Sequence, residues 1–331
     1  MKMKVLFIVP TLALLAIPVS ANGLISSPLN HAQDQCTPEN RQALYAEFLK
    51  MRTTDQPKAF DLAKKYLACA PTGQATEAEQ KIIDYLKKFS SAYETGLRKI
   101  RLRVLLYDER KYVEAYELGR QVLATERDNL KVLVDLGANG YLIAPLKNAQ
   151  LTNEAAEYAK RALQLIESGK TVDDWAPLAN KDIAVAYLNY TIGTLALEKD
   201  PSAALKHLIN AVHFETPLKK SPYTYAYIAG AYETGPYAKL SAQYTNRYSN
   251  QDESQESKLM LANINQLVDR IIDAYGRAVA LAGNDVQFAK PKAAWLESLT
   301  TFYKYRHNNS DAGLSEFIAT VVGKPLPPLT N

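Results

Sequence analysis

Between Asp128 and Pro217 the chain twice sets small residues into a helix–turn–helix pattern, and this leaves it few folds. In the first unit Leu133, Leu136, Gly137 and Tyr141 precede Ala155, Ala159 and Ala162. In the second, Leu188, Ile192, Gly193 and Ala196 precede Ala204, Leu208 and Ala211. Residues three or four apart share one face of a helix. Gly and Ala on that face let two helix axes approach closely, so each unit reads as an antiparallel helix pair. Stacked pairs bury a core that runs along a line, with each pair contacting its neighbours. The expectation is an all-α superhelix of antiparallel pairs.

The segments on either side fit that plan. Thr37-Pro38-Glu39 supplies an N-cap, a first-turn proline and an acid that complements the helix dipole. That helix is expected to reach about Met51, and a second to run from Gln56-Pro57 to near Cys69. Further helices are expected over 75–91, 93–107, 111–125, 221–233, 259–282, 290–306 and 311–322, the first of them either continuing into the second or kinked near Ser90-Ser91. Gly235-Pro236 is expected to break the helix at 221–233, and 249–258 to form a mobile polar loop within an insertion spanning 235–258. The repeat domain then covers 36–322. Pro325, Pro327 and Pro328 lie in a terminal segment, 323–331, read as an extended, disordered tail.

Residues 1–21 read as a secretory signal peptide. Lys2 and Lys4 precede the apolar run Val5 to Val19, and Val19-Ser20-Ala21 offers a small-residue cleavage site. An uncleaved anchor is the alternative. Residues 22–35 are polar and aperiodic, a flexible leader. Cleavage after Ala21 would deliver a chain with no membrane insertion to the periplasm or the exterior. Export makes a disulfide possible for Cys36 and Cys69, which stand 33 positions apart at what would be the same end of the first hairpin. Two buried free thiols are the other reading.

Charge and motifs narrow the function. The formal net charge is +4, and removal of Lys2 and Lys4 leaves +4 − 2 = +2. Nucleic-acid binding calls for a strong basic stripe, so no nucleic-acid partner is expected. The four histidines are His31, His207, His213 and His307, and no His-Glu-x-x-His run, phosphate-cradling loop or Gly-x-Ser-x-Gly elbow occurs. Asp173-Asp174 is a solvated pair in a polar loop. No enzyme, metal or cofactor is expected. Tyrosine is the unusual component, 21 against 8 Phe, and seven of them crowd between Tyr223 and Tyr248. A ring that packs while its hydroxyl stays wet suits thin cores and contact surfaces equally.

The small-residue pattern resembles the tetratricopeptide repeat (TPR), with its Leu-Gly and Tyr on the first helix and its Ala positions on the second. Leu136, Gly137 and Tyr141 match the first helix, with Tyr141 one place late, and Ala155 and Ala162 match the second. Tyr225, Ile228, Ala229 and Tyr232 match a further first helix, and Ala59, Ala63 and Pro71 an early unit. The equivalent points Ala59, Ala115, Ala155, Ala204 and Ile271 stand 56, 40, 49 and 67 apart instead of about 34, so helices and loops are inserted. The layout is similar to that of exported bacterial TPR proteins. The resemblance implies a concave groove, lined by first helices, that holds a protein or peptide partner. On that basis the candidate contacts are Tyr223, Tyr227, Tyr232, Asn189, Lys181 and Asn139. The same tyrosines also suit packing between helices. A second expectation is a small-molecule or glycan site with 235–258 as its lid.

Overall fold

The computed structural model describes residues 36–70, 73, 75–249 and 251–328. The expected signal peptide and leader, and the last three residues of the tail, lie outside the described residues. The fold is all-α: among the described residues there are thirteen α-helices and no strand. The chain divides into two compact units, and the division falls after Glu94, inside helix α3 (Glu77–Arg103).

The first unit is a stapled hairpin. Helix α1 (Pro38–Met51) starts where Thr37 accepts from the Asn40 amide at 3.2 Å. Helix α2 (Gln56–Ala68) starts where Asp55 accepts from the Lys58 amide. Each cap satisfies a donor the helix itself cannot. Phe48, Ala59, Ala63 and Leu86 are fully buried between α1, α2 and the first part of α3. Phe89 meets Phe48 edge to face, with centroids 4.9 Å apart. The Cys36–Cys69 disulfide closes the open end of the hairpin, with the two Cα atoms 4.9 Å apart.

The second unit is a run of packed helix pairs. After α3 the chain makes one wide π turn, Val104–Asp108. Then come α4 (Tyr112–Thr125), α5 (Leu130–Ala138), α6 (Ala149–Glu167), α7 (Lys181–Ala196) and α8 (Pro201–Ala211). Asn129, Asn148, Asn180 and Asp200 each cap a helix by accepting from a backbone amide three residues on. Successive helices touch: α5 packs on α6, α6 on α7, α7 on α8. At the first crossing a Cβ on Gly137 would stand 2.8 Å from both Ala159 Cα and Leu188 Cδ2. On Gly193 it would stand 2.7 Å from Leu208 Cγ and 3.1 Å from the Ala204 carbonyl. The two units expected from the small residues are therefore built on equivalent close crossings.

The later part follows the same logic with an inserted helix. Helix α9 (Pro222–Tyr232) packs on α8 and on α11 (Gln255–Ala282), and α11 packs on α12 (Ala289–Arg306). The α11 stripe of Ile264, Leu267, Val268, Ile271 and Ile272 is buried, at about 1.5–3 kcal/mol for each large aliphatic side chain taken from water. Two expectations change here. The α-helix ends at Tyr232, just before Gly235-Pro236, but the pair does not interrupt the helical run. It sits in a second π turn, Glu233–Tyr237, that leads directly into α10 (Ala238–Tyr248). The wide turn accommodates a proline, which has no amide hydrogen to place in an α-helical ladder. The supposed mobile loop shortens in turn, because Ser254 and Ser257 form a capping box that starts α11 at Gln255. The expected lid is thus largely helix, packed on α11, with Tyr237 edge-on to Phe302 at 5.4 Å.

A short helix, α13 (Leu314–Thr320), ends the helical part. The terminal segment is docked, contrary to the expected disordered tail. Arg277, 4% exposed, donates to the carbonyls of Lys324 at 2.9 Å and Pro325 at 3.1 Å. Leu326 packs against the core of this unit.

Candidate binding site

The tyrosines of α9 divide by face. Tyr225, Ile228, Ala229 and Tyr232, at positions i, i+3, i+4 and i+7, are all buried. Tyr223 and Tyr227 are one turn apart on another face; Tyr223 is 39% exposed and Tyr227 half-buried. Their rings stack with centroids 6.3 Å apart.

From these two rings an aromatic row extends in both directions. Tyr227 lies 6.3 Å from Tyr190 on α7, and Tyr190 lies 5.1 Å from Tyr141. Tyr141 also meets Tyr187 at 6.0 Å. On the other side Tyr223 is edge-on to Trp295 of α12 at 5.4 Å and to Phe288 at 5.6 Å. The row thus links the first helix of one pair to the first helix of the next. Tyr141 reaches it because α5 stops at Ala138 and the chain tightens into a 3-10 segment, Gly140–Leu146. The Tyr141 amide donates to Thr191 Oγ1 at 3.2 Å, which fixes that segment on α7.

Electrostatically the row is neutral. Burial raises the phenol pKa of Tyr187, Tyr190 and Tyr227, and pushes Tyr141 up to about 12. Among the described residues the hydroxyls of Tyr141, Tyr187, Tyr223 and Tyr227 make no hydrogen bond to protein. Tyr190, 6% exposed, is the buried link of the row, so ring faces and hydroxyls are offered by exposed Tyr223 and by half-buried Tyr141, Tyr187 and Tyr227.

The other expected contacts fare differently. Tyr232 is 3% exposed, in the core between α9 and α11, and its hydroxyl has no partner among the described residues. Asn189 is 5% exposed; it donates to the Val185 carbonyl and its oxygen lies 2.9 Å from His207 Nδ1. Both belong to the interior, because each lies on the side of its helix that meets the neighbouring helices. Asn139 is half-buried and donates to the Asp135 carbonyl at the end of α5. Lys181 is exposed in the first turn of α7. The structure brings together only Tyr223 and Tyr227 of the six. It adds Tyr141, Tyr187, Tyr190, Phe288 and Trp295. The spacings of three for Tyr187/Tyr190 and four for Tyr223/Tyr227 were the available signal for shared faces.

A polar cluster lies among α3, its π turn and α5. Asp135, 1% exposed, accepts from the Tyr107 hydroxyl at 3.0 Å, is ion-paired by Lys131, and lies 3.9 Å from Arg103 Nε. Its carboxylate is occupied by these neighbours, which makes it a structural network. Among the described residues no group of three His, Cys, Asp or Glu side chains could hold a metal ion. No helix among them is long and apolar enough to cross a membrane. No protein-family model, curated protein or solved structure matches the chain.

Proposed function

We propose that the protein is an exported, non-catalytic adaptor that holds an extended segment of a partner protein along the aromatic row. The observation that carries this reading is the run Tyr141, Tyr190, Tyr227, Tyr223 and Trp295, with successive centroids 5.1 to 6.3 Å apart, contributed by the 3-10 segment after α5 and by α7, α9 and α12. Large, stiff aromatic side chains give contact area at low entropic cost, and they dominate measured binding hot spots. A neutral row running across several helices suits an extended peptide better than a compact charged ligand. The Cys36–Cys69 disulfide fits the oxidising compartment that an exported chain would reach.

A displayed library of extended peptides, selected on residues 22–331, tests this. Enriched peptides should lose roughly tenfold or more in affinity, about 1.4 kcal/mol, on Tyr223→Ala or Trp295→Ala. Peptides that bind these variants as tightly as the parent, or no enrichment at all, would overturn the reading. Selective retention of oligosaccharides by the same surface would replace it with glycan recognition.

A further inference from the structure

A second site lies away from the row, where α8, the 3-10 turn Pro217–Lys220, α11 and the terminal segment meet. These elements line an open cleft of about 620 Å³, within the range of small-molecule sites, roughly 300–1,000 Å³. Its walls are aliphatic: Ile209 and Val212 from the end of α8, Leu281 from α11, and Leu326 from the terminal segment. Its charged lining is mainly cationic. Lys219 is ion-paired with Glu215, the one acidic lining residue. Lys220 and Lys324 line the cavity too, and among the described residues neither has a carboxylate within ion-pair distance, although Lys220 helps to hold the Glu215 pKa down and Lys324 Nζ lies 5.9 Å from the Phe317 ring centre. The fourth cation, Arg277, is committed: it is bidentate to Asp273 at 2.7 and 3.3 Å and holds the terminal carbonyls, so it fixes the wall that Leu326 completes.

We propose that this cavity binds a single-chain anionic amphiphile, a long-chain fatty acid, with its alkyl chain against Ile209, Val212, Leu281 and Leu326 and its carboxylate at Lys220 and Lys324. An alkyl chain matches aliphatic walls that would otherwise face water. A carboxylate matches Lys220 and Lys324, neither of which forms an ion pair among the described residues, and a cationic head would not. Tyr225 also lines the cavity, and its hydroxyl donates to the Lys219 carbonyl at 3.1 Å, which steadies the turn that carries Lys219 and Lys220. The site is independent of the aromatic row, which lies on the Tyr223/Tyr227 face of α9.

The test is a fluorescence titration of residues 22–331 with a dansyl-labelled long-chain fatty acid, chased with oleate, methyl oleate and dodecyltrimethylammonium. The expected result is saturable one-to-one binding that oleate displaces and the neutral and cationic analogues do not. Leu281→Trp, which fills the cavity, should abolish binding. Lys220→Glu with Lys324→Glu, both at exposed positions, should weaken it about tenfold or more. Tyr223→Ala should leave it unchanged, which separates this site from the row. Equal displacement by methyl oleate, full binding by the lysine pair variant, or no saturable signal would each overturn the proposal. If Leu281→Trp does not fold, the surface lysine variant decides alone.

Discussion

Gly137 of α5 lies so close to Ala159 of α6 that a Cβ on the glycine would stand 2.8 Å from the alanine Cα. Backbone, unlike the end of a flexible side chain, cannot move aside cheaply, so this crossing admits hydrogen only. Gly137→Val should cost at least about 1–3 kcal/mol, the range for overpacking a tight core. Gly230 of α9 is the control, because nothing lies within 4 Å of its would-be Cβ. Gly230→Ala should stabilise by about 0.5–1 kcal/mol through helix propensity. Urea denaturation of both variants checks the pair; similar midpoints would contradict the close crossing.

Tyrosines of one helix should behave in opposite ways. Tyr232→Ala empties a core site and should cost about 3–5 kcal/mol. Tyr232→Phe removes a buried hydroxyl that has no partner among the described residues, so it should be neutral or stabilising by up to about 1 kcal/mol. Tyr223→Ala, at 39% exposure, should change thermal stability little. A Tyr223→Ala loss as large as that of Tyr232→Ala would place the aromatic row in the core.

Much of this division was written in the spacing. Tyr225 and Tyr232 are seven apart, hence on one face, and the repeat pattern already assigned that face to packing; treating Tyr232 as a groove residue conflicted with it. The caps were equally legible, since Thr37, Asp55 and Asp200 each stand before a proline-led helix. The π turns at 104–108 and 233–237 were not legible, because their wider backbone turn leaves no hydrophobic period to count. Nor was the link from Tyr223 to Trp295, residues 72 positions apart (295 − 223), because it depends on α11 returning the chain to α9. Docking of the terminal segment depends on Arg277, a cation on the buried side of α11, and sequence alone does not show which carbonyls such a cation will meet.

The Cys36–Cys69 bond closes a loop of 33 positions around the α1–α2 hairpin. In the chain-entropy model a loop of that length contributes roughly 3–4 kcal/mol. Reduction, or Cys36→Ala with Cys69→Ala, should open the first unit and leave the second folded. Limited proteolysis with and without reductant reads this as new cleavage confined to 36–94. Uniform cleavage along the chain would show that the staple supports more than its own hairpin.

Asp135 should tolerate loss of charge better than loss of its side chain. Burial raises its pKa, opposed by Lys131, Tyr107 and Arg103. Asp135→Ala strips the acceptor from Tyr107 and the counter-charge from Lys131, a change expected to cost about 3–5 kcal/mol. Asp135→Asn keeps an oxygen for Tyr107 and should cost clearly less. The pH sign follows from the raised pKa. This group's contribution is fully present below the unfolded carboxyl value near 3.8 and is lost as pH rises through the folded value. Acid therefore should not unfold the protein through Asp135, and Asp135→Asn should flatten the pH dependence of stability on the acid side.

The buried phenols set an alkaline limit. Burial raises the pKa of Tyr107, Tyr116, Tyr141, Tyr190 and Tyr275, with Asp135 adding to the effect at Tyr107 and Glu233 at Tyr275. In the unfolded chain each ionises near pH 10. Their contribution is complete below about pH 10, where folded and unfolded phenols are both neutral. Above it the unfolded chain loses protons that the folded chain keeps, so stability falls, for Tyr141 until its folded value of about 12. These phenols should add no pH dependence through neutral pH and should drive unfolding in alkali. Phenolate absorbance and far-ultraviolet circular dichroism, followed in one titration, check this. Ionisation of the buried set should coincide with loss of helix. Complete phenol titration while the helices persist would show that these rings are open to solvent, which would contradict their burial between helices.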